Sequence, residues 1–173
     1  VSGEMSLAHT DLSIVRGVTL DHASTSLSDV SLVSGEYGIS GYGGTFTAND
    51  LEIRILSGSA LTLSDATTTL ASTTIESTGL VGAHGIVQVA GGSLEAEDLS
   101  IGFCGSTVTS AIELYGASSS IDGLSIKGCG AVGLYAASNA VATVHDAAIA
   151  IPLGAGAVAT GGASLAFSST TFS

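Results

Sequence analysis

IGFCGSTVTSAIELYGASSSIDGLSIKGCGAVGLYAAS, residues 101–138, holds both cysteines of the chain, each in nearly the same phrase. Cys104 lies three residues after Ile101, Cys129 lies three after Ile126, and glycine follows each cysteine. A phrase duplicated after 25 residues is the mark of a chain that repeats one structural unit.

The repeat extends in both directions. An aliphatic residue, any residue and a second aliphatic, often preceded by Asp, recur as HTDLSI (9–14), LSDVSL (27–32), ANDLEI (48–53), AEDLSI (96–101) and IDGLSI (121–126). Fainter copies are STTIES (72–77), VHDAAI (144–149) and FSSTTF (167–172). Between them lies a second phrase: GVTL (17–20), GISG (38–41), ALTL (60–63), GIVQV (85–89), AIELY (111–115), GLYAA (133–137) and AVATG (157–161). Small residues, Gly, Ala, Ser or Asn, come after each one before the next first phrase begins.

Both phrases alternate apolar with small or polar residues, the period of a strand with one buried face. Glycine breaks nearly every window that could carry a helical stripe. The expectation is a chain that winds, laying each strand beside its counterpart one turn earlier.

Composition agrees. Of 173 residues, 45% are hydrophobic but only 5% aromatic, and 24 are glycine, so the core must pack small aliphatic side chains. A disordered chain would show high charge and few aliphatics. Fifteen acidic residues oppose Arg16, Arg54 and Lys127, for a net charge of −12. That balance argues against nucleic-acid partners and anionic membranes, both of which call for clustered cations. No apolar run has the ~18–20 residues of a membrane-spanning helix, so no membrane insertion is expected. The chain begins at Val1 without a signal-peptide pattern and reads as a mature or excised segment of a longer protein.

SIDGLSIKGCGAVGLYAAS resembles the parallel β-helix repeat of the pectin-lyase-like superfamily, in which an isoleucine-containing strand, a polar turn and a Gly-Ile or Gly-Leu strand recur once per coil. The resemblance spans the whole chain and concerns the fold. It implies an all-β, single-stranded, right-handed parallel β-helix of about seven to eight coils, forming one domain over residues 1–173. Members include lyases, hydrolases and adhesins, so activity is not implied.

In this frame Cys104 and Cys129 occupy one place in consecutive coils, within disulfide reach of each other. A disulfide and a stack of free thiols both remain open. Asp11, Asp29, Asp50, Asp98 and Asp146 precede the strand aliphatic, where other coils have Thr74, Gly123 and Ser169. These are turn formers. Asp11, Asp29 and Asp50 are also a weaker candidate row for Ca²⁺. No other metal or cofactor is expected. His9 is placed at an inward position, EAED (95–98) on a solvated edge, and Ser13, Ser31, Glu52, Glu76, Ser100 and Ser125 on an outward hydroxyl ribbon.

No catalytic residue is assigned. His145-Asp146 and His84-Gly85 echo polygalacturonase motifs without their neighbours, and Arg16, Arg54 and Lys127 share no face. Tyr37, Tyr42, Tyr115 and Tyr135 are not expected to align in one column. A threonine ladder able to engage ice appears over only one coil, in 65–78. The expected role is a non-enzymatic extracellular or cell-surface scaffold for adhesion or ligand presentation, secreted, with carbohydrate or protein as ligand. End-to-end self-association is a further expectation. The alternative is a carbohydrate-active β-helix, of polysaccharide lyase or glycoside hydrolase type, whose catalytic residues are degenerate or outside this segment.

Overall fold

The structure, a computed structural model, describes residues 3–14, 16–78, 85–103, 110–128 and 131–173. Among these the chain is all β. Eight longer strands, β1 (Glu4–Ile14), β3 (Ser24–Ser34), β5 (Thr45–Ile55), β7 (Thr67–Ser77), β9 (Ser93–Phe103), β11 (Ser118–Gly128), β13 (Val141–Ala150) and β15 (Ser164–Phe172), form one sheet. Seven shorter ones form a second: β2 (Val18–Asp21), β4 (Ile39–Tyr42), β6 (Leu61–Ser64), β8 (Gly85–Ala90), β10 (Ser110–Tyr115), β12 (Val132–Ala137) and β14 (Ala155–Ala159). Each strand pairs in parallel with its counterparts one turn earlier and later, giving a solenoid of about seven turns. Stacking at the usual strand spacing gives a rod of ~35 Å.

The long strands are bent, and their burial shows where. In β3, Thr25 and Leu27 are buried, Ser28 and Asp29 both face outward, and Val30 and Leu32 are buried again. Two outward residues in succession break strict alternation, so the strand turns a corner without ending. The corner residue is left-handed in every turn: His9, Asp29, Asp50, Ser72, Asp98, Gly123, Asp146 and Ser169 have φ between 48° and 70°. A β-carbon makes this region cost ~1–2 kcal/mol, least for residues with short polar side chains. Aspartate, serine and glycine are therefore the residues of choice, as expected of turn formers. Each turn thus has three straight runs, two from the bent strand and one from the short strand.

The inward columns hold the core. Leu32, Ile53, Ile75, Ile101, Ile126 and Ile149 stack in register, each at most 1% exposed. β-Branched side chains suit such a pleated, crowded surface. The neighbouring column runs through Thr10, Val30, Leu51, Thr73, Leu99, Leu124, Ala147 and Thr170.

Here the register corrects the sequence reading. Aligning the repeats on their aspartate would pile Leu12, Val30, Leu51, Ile75, Leu99, Leu124 and Ala147 in one inward column; five of them keep that place, while Leu12 and Ile75 stand two residues along, opposite Leu32 and Ile53. Threonine takes the expected aliphatic place in those two turns. A slip of two residues leaves every side chain on the same face, so alternation does not reveal it. The corner column shifts likewise: His9 replaces Asp11 and Ser72 replaces Thr74.

Candidate functional site: the corner and the hydroxyl face

The corner carries much of the protein's negative charge. Beside the left-handed residues runs the column Ala8, Ser28, Asn49, Ala71, Glu97, Asp122, His145 and Ser168. Together the two columns place Glu97, Asp98, Asp122, His145 and Asp146 on three successive turns. Glu97 and Asp98 are exposed, as expected of the solvated edge at 95–98.

His145 sits between two carboxylates. Its Nδ1 donates to Asp122 Oδ1 across the strands at 3.1 Å and lies 3.1 Å from Asp146 Oδ2. The hydrogen bond to Asp122, then the charge of Asp146, hold the imidazolium to a higher pH than an ordinary histidine. One ligand atom from each of these three residues lies within 4.8 Å of the others, the one such group among the described residues.

The calcium row fares differently. Asp29 stands opposite His9, whose Nδ1 contacts Asp29 Oδ2 at 2.7 Å, while Asp11 pairs with Ser31. Asp11, Asp29 and Asp50 still line one shallow depression, with Thr10, Ser31 and Glu52, but they do not form a stack of equivalent positions. His9 is not inward: its side chain is 81% exposed, because the left-handed residue of each turn points out of the corner. Cys104, Cys129 and His84 lie outside the described residues, the register being followed as far as Phe103 opposite Gly128.

Both arginines sit beside acids on the surface. Arg16 pairs with Glu36 at 3.2 Å, and Arg54 with Glu52 at 2.9 Å and Glu76 at 3.2 Å. Such exposed pairs add little stability. The strand register splits the anticipated ribbon: Ser31, Glu52, Ser100 and Ser125 share a column, whereas Ser13 and Glu76 fall in the next one with Val33 and Arg54.

A more regular hydroxyl surface lies on the other side of the corner. Five residues before each left-handed residue stand Glu4, Ser24, Thr45, Thr67, Ser93, Ser118, Val141 and Ser164, and two residues later Ser6, Ser26, Thr47, Thr69, Glu95, Ser120, Thr143 and Ala166. The two ranks are ~6.6 Å apart along a strand and ~4.8 Å apart between turns. Within them Ser24 and Thr45 share a hydroxyl–hydroxyl bond of 2.9 Å. Glu95 interrupts the second rank and, with Glu97, Thr69, Ala71 and Ser120, lines a shallow depression. The signal was present as STS (24–26), TFT (45–47), TTT (67–69) and SSS (118–120), each ending three residues before the corner, but it emerges only once the corner residues are aligned. The threonine pairs 45/47 and 67/69 cover two consecutive turns, one more than 65–78 alone suggested.

The tyrosines do not form one column, as expected, yet two of them meet. Tyr115 and Tyr135 pack with ring centroids 6.0 Å apart on the short-strand sheet. The Tyr115 hydroxyl donates to the buried Glu113 at 3.1 Å. Partial burial, then the Glu113 charge, push the Tyr115 hydroxyl up to about 12. Tyr42 instead meets His22 edge-on at 4.9 Å.

No helix among the described residues is long and apolar enough to cross a membrane. Comparison with known proteins finds no matching family model, no matching curated protein and no matching solved structure. The chain is therefore identified by its architecture alone, a parallel β-solenoid with a left-handed corner and an exposed face of paired hydroxyls.

Proposed function

We propose that the chain is a non-enzymatic extracellular β-helix scaffold and binding module, related in architecture to the pectin-lyase-like superfamily, whose hydroxyl face adheres to an uncharged polysaccharide. The observation that carries this reading is the two-rank array on β3, β5, β7 and β11, where Ser24/Ser26, Thr45/Thr47, Thr67/Thr69 and Ser118/Ser120 present hydroxyls on one exposed face. Hydroxyls donate and accept alike, and therefore suit a ligand that is itself a lattice of hydroxyls. A net charge of −12 disfavours acidic glycans and leaves neutral ones.

The test is retention of the full chain on insoluble cellulose and chitin at physiological salt, with soluble sugar release measured in parallel. Thr47→Lys combined with Thr69→Lys places two long cations on an exposed face and should cut retention by about tenfold, equivalent to ~1.4 kcal/mol. Equal retention of the variant, or none by the parent, overturns the reading. Release of soluble sugar would establish the carbohydrate-active alternative instead.

A further inference from the structure

We infer that Asp122, His145 and Asp146 form a site for a divalent transition-metal ion of the Zn²⁺ class, independent of the hydroxyl face. Three described histidines each place Nδ1 against a carboxylate: His9 on Asp29, His22 on Asp21 and His145 on Asp122. His145 alone among them lies within ion-pair distance of two carboxylates, one from its own turn and one from the turn below. The position held by the Nδ1 proton, shared between Asp122 and Asp146, is the position a cation would take on replacing that proton.

The backbone builds this arrangement. Asp122 and His145 are partners across β11 and β13, so stacking sets one ligand above the other. Asp146 follows as the left-handed corner residue, with φ of 48°, and this turn brings its carboxylate back beside the imidazole of the residue before it. Three side chains thus converge from two turns without any loop.

The surroundings favour a cation. Glu97 is the partner of Asp122 on the next strand, and Asp98 lies beside Gly123. A β-carbon at Gly123 would stand 2.6 Å from Asp98 Oδ1, so the glycine leaves room that this carboxylate enters. Two carboxylates against one imidazole, with Glu97 and Asp98 one turn further on, leave excess negative charge even when His145 is protonated. The ligand type sets the ion class. Imidazole with carboxylates suits Zn²⁺, Ni²⁺ and Cu²⁺, whereas Ca²⁺ takes oxygen ligands only. All three residues are exposed, which leaves the remaining coordination positions to water.

The full chain, freed of metal with a chelator, would be titrated with ZnCl₂ by calorimetry at neutral pH and physiological salt, with the histidine ring resonances followed by NMR. The expected result is saturable binding of one ion, with the His145 ring shifting first. His145→Ala and Asp122→Asn should each weaken binding at least ~10-fold, on the scale of losing a ligand-shell group, while His9→Ala should leave it unchanged. Because the NMR assignment uses the unaltered chain, it holds whether or not a variant folds. Absence of saturable binding, a first shift at His9, His22 or His84, unchanged affinity in His145→Ala, or displacement by equimolar Ca²⁺ would each overturn the assignment.

Discussion

Thr73 is wholly buried, yet its Oγ1 has no hydrogen-bond partner among the described residues. It faces inward opposite Leu99, in a column otherwise occupied nearby by Leu51 and Leu124. A hydroxyl taken from water without a replacement bond costs ~1–3 kcal/mol by protein measurements. Valine has nearly the same shape and no such demand. Thr73→Val should therefore stabilise the protein by about 1 kcal/mol, a rise of ~2–4 °C in Tm for a chain of this size. Thr73→Ser keeps the hydroxyl and loses the methyl group, which should cost ~1 kcal/mol. Urea unfolding followed by far-UV circular dichroism separates the two variants by ~2 kcal/mol at an unchanged denaturant slope. If Thr73→Val is no more stable than the parent, the hydroxyl is satisfied and carries no such cost.

The corner and the tyrosine pair give two further tests. Gly123→Ala combines a φ of +70° with the approach of Asp98 Oδ1 and should destabilise by at least ~1–2 kcal/mol. Adding Asp98→Ala removes the carboxylate but keeps a β-carbon at that left-handed position, so it should recover the steric part only, and full recovery would refute the backbone cost. Tyr115, with its hydroxyl pushed up to about 12, favours the neutral form in the folded state. Its contribution to stability is present below the unfolded value of ~10 and is lost as pH rises through about 12. Glu113→Gln should lower the Tyr115 transition in an ultraviolet tyrosinate titration, though only in part, because burial is the larger cause. An unchanged transition would remove Glu113 from the account.

Sequence alone determined that the chain is all β, that it winds, and that its faces alternate. The Ile101, Ile126 and Ile149 phrases and the intervening Gly-Leu phrases carry that information locally, because strand periodicity reports which side of a sheet a residue faces. The small residues after each short strand were likewise legible as turns. Their left-handed members include Gly43, Gly91, Gly116 and Gly161, which have no β-carbon to object, together with Asp65 and Ser138, while His22 takes the same conformation after β2.

Tertiary structure decided the register. Aligning on aspartate put Asp11 with Asp29 and Thr74 with Asp50. The structure instead aligns the left-handed residues, where His9 and Ser72 take the aspartate's place. Nothing in a two-residue period distinguishes these choices, since both keep apolar side chains inside. What distinguishes them is a backbone corner that histidine, serine, aspartate and glycine all adopt. The same register assembles Asp122, His145 and Asp146 from adjacent turns, and it lines up hydroxyl pairs scattered from Ser24 to Ser120 on one face. Proximity between residues some 20 to 26 positions apart is a property of how turns stack, and only the stacked chain contains it.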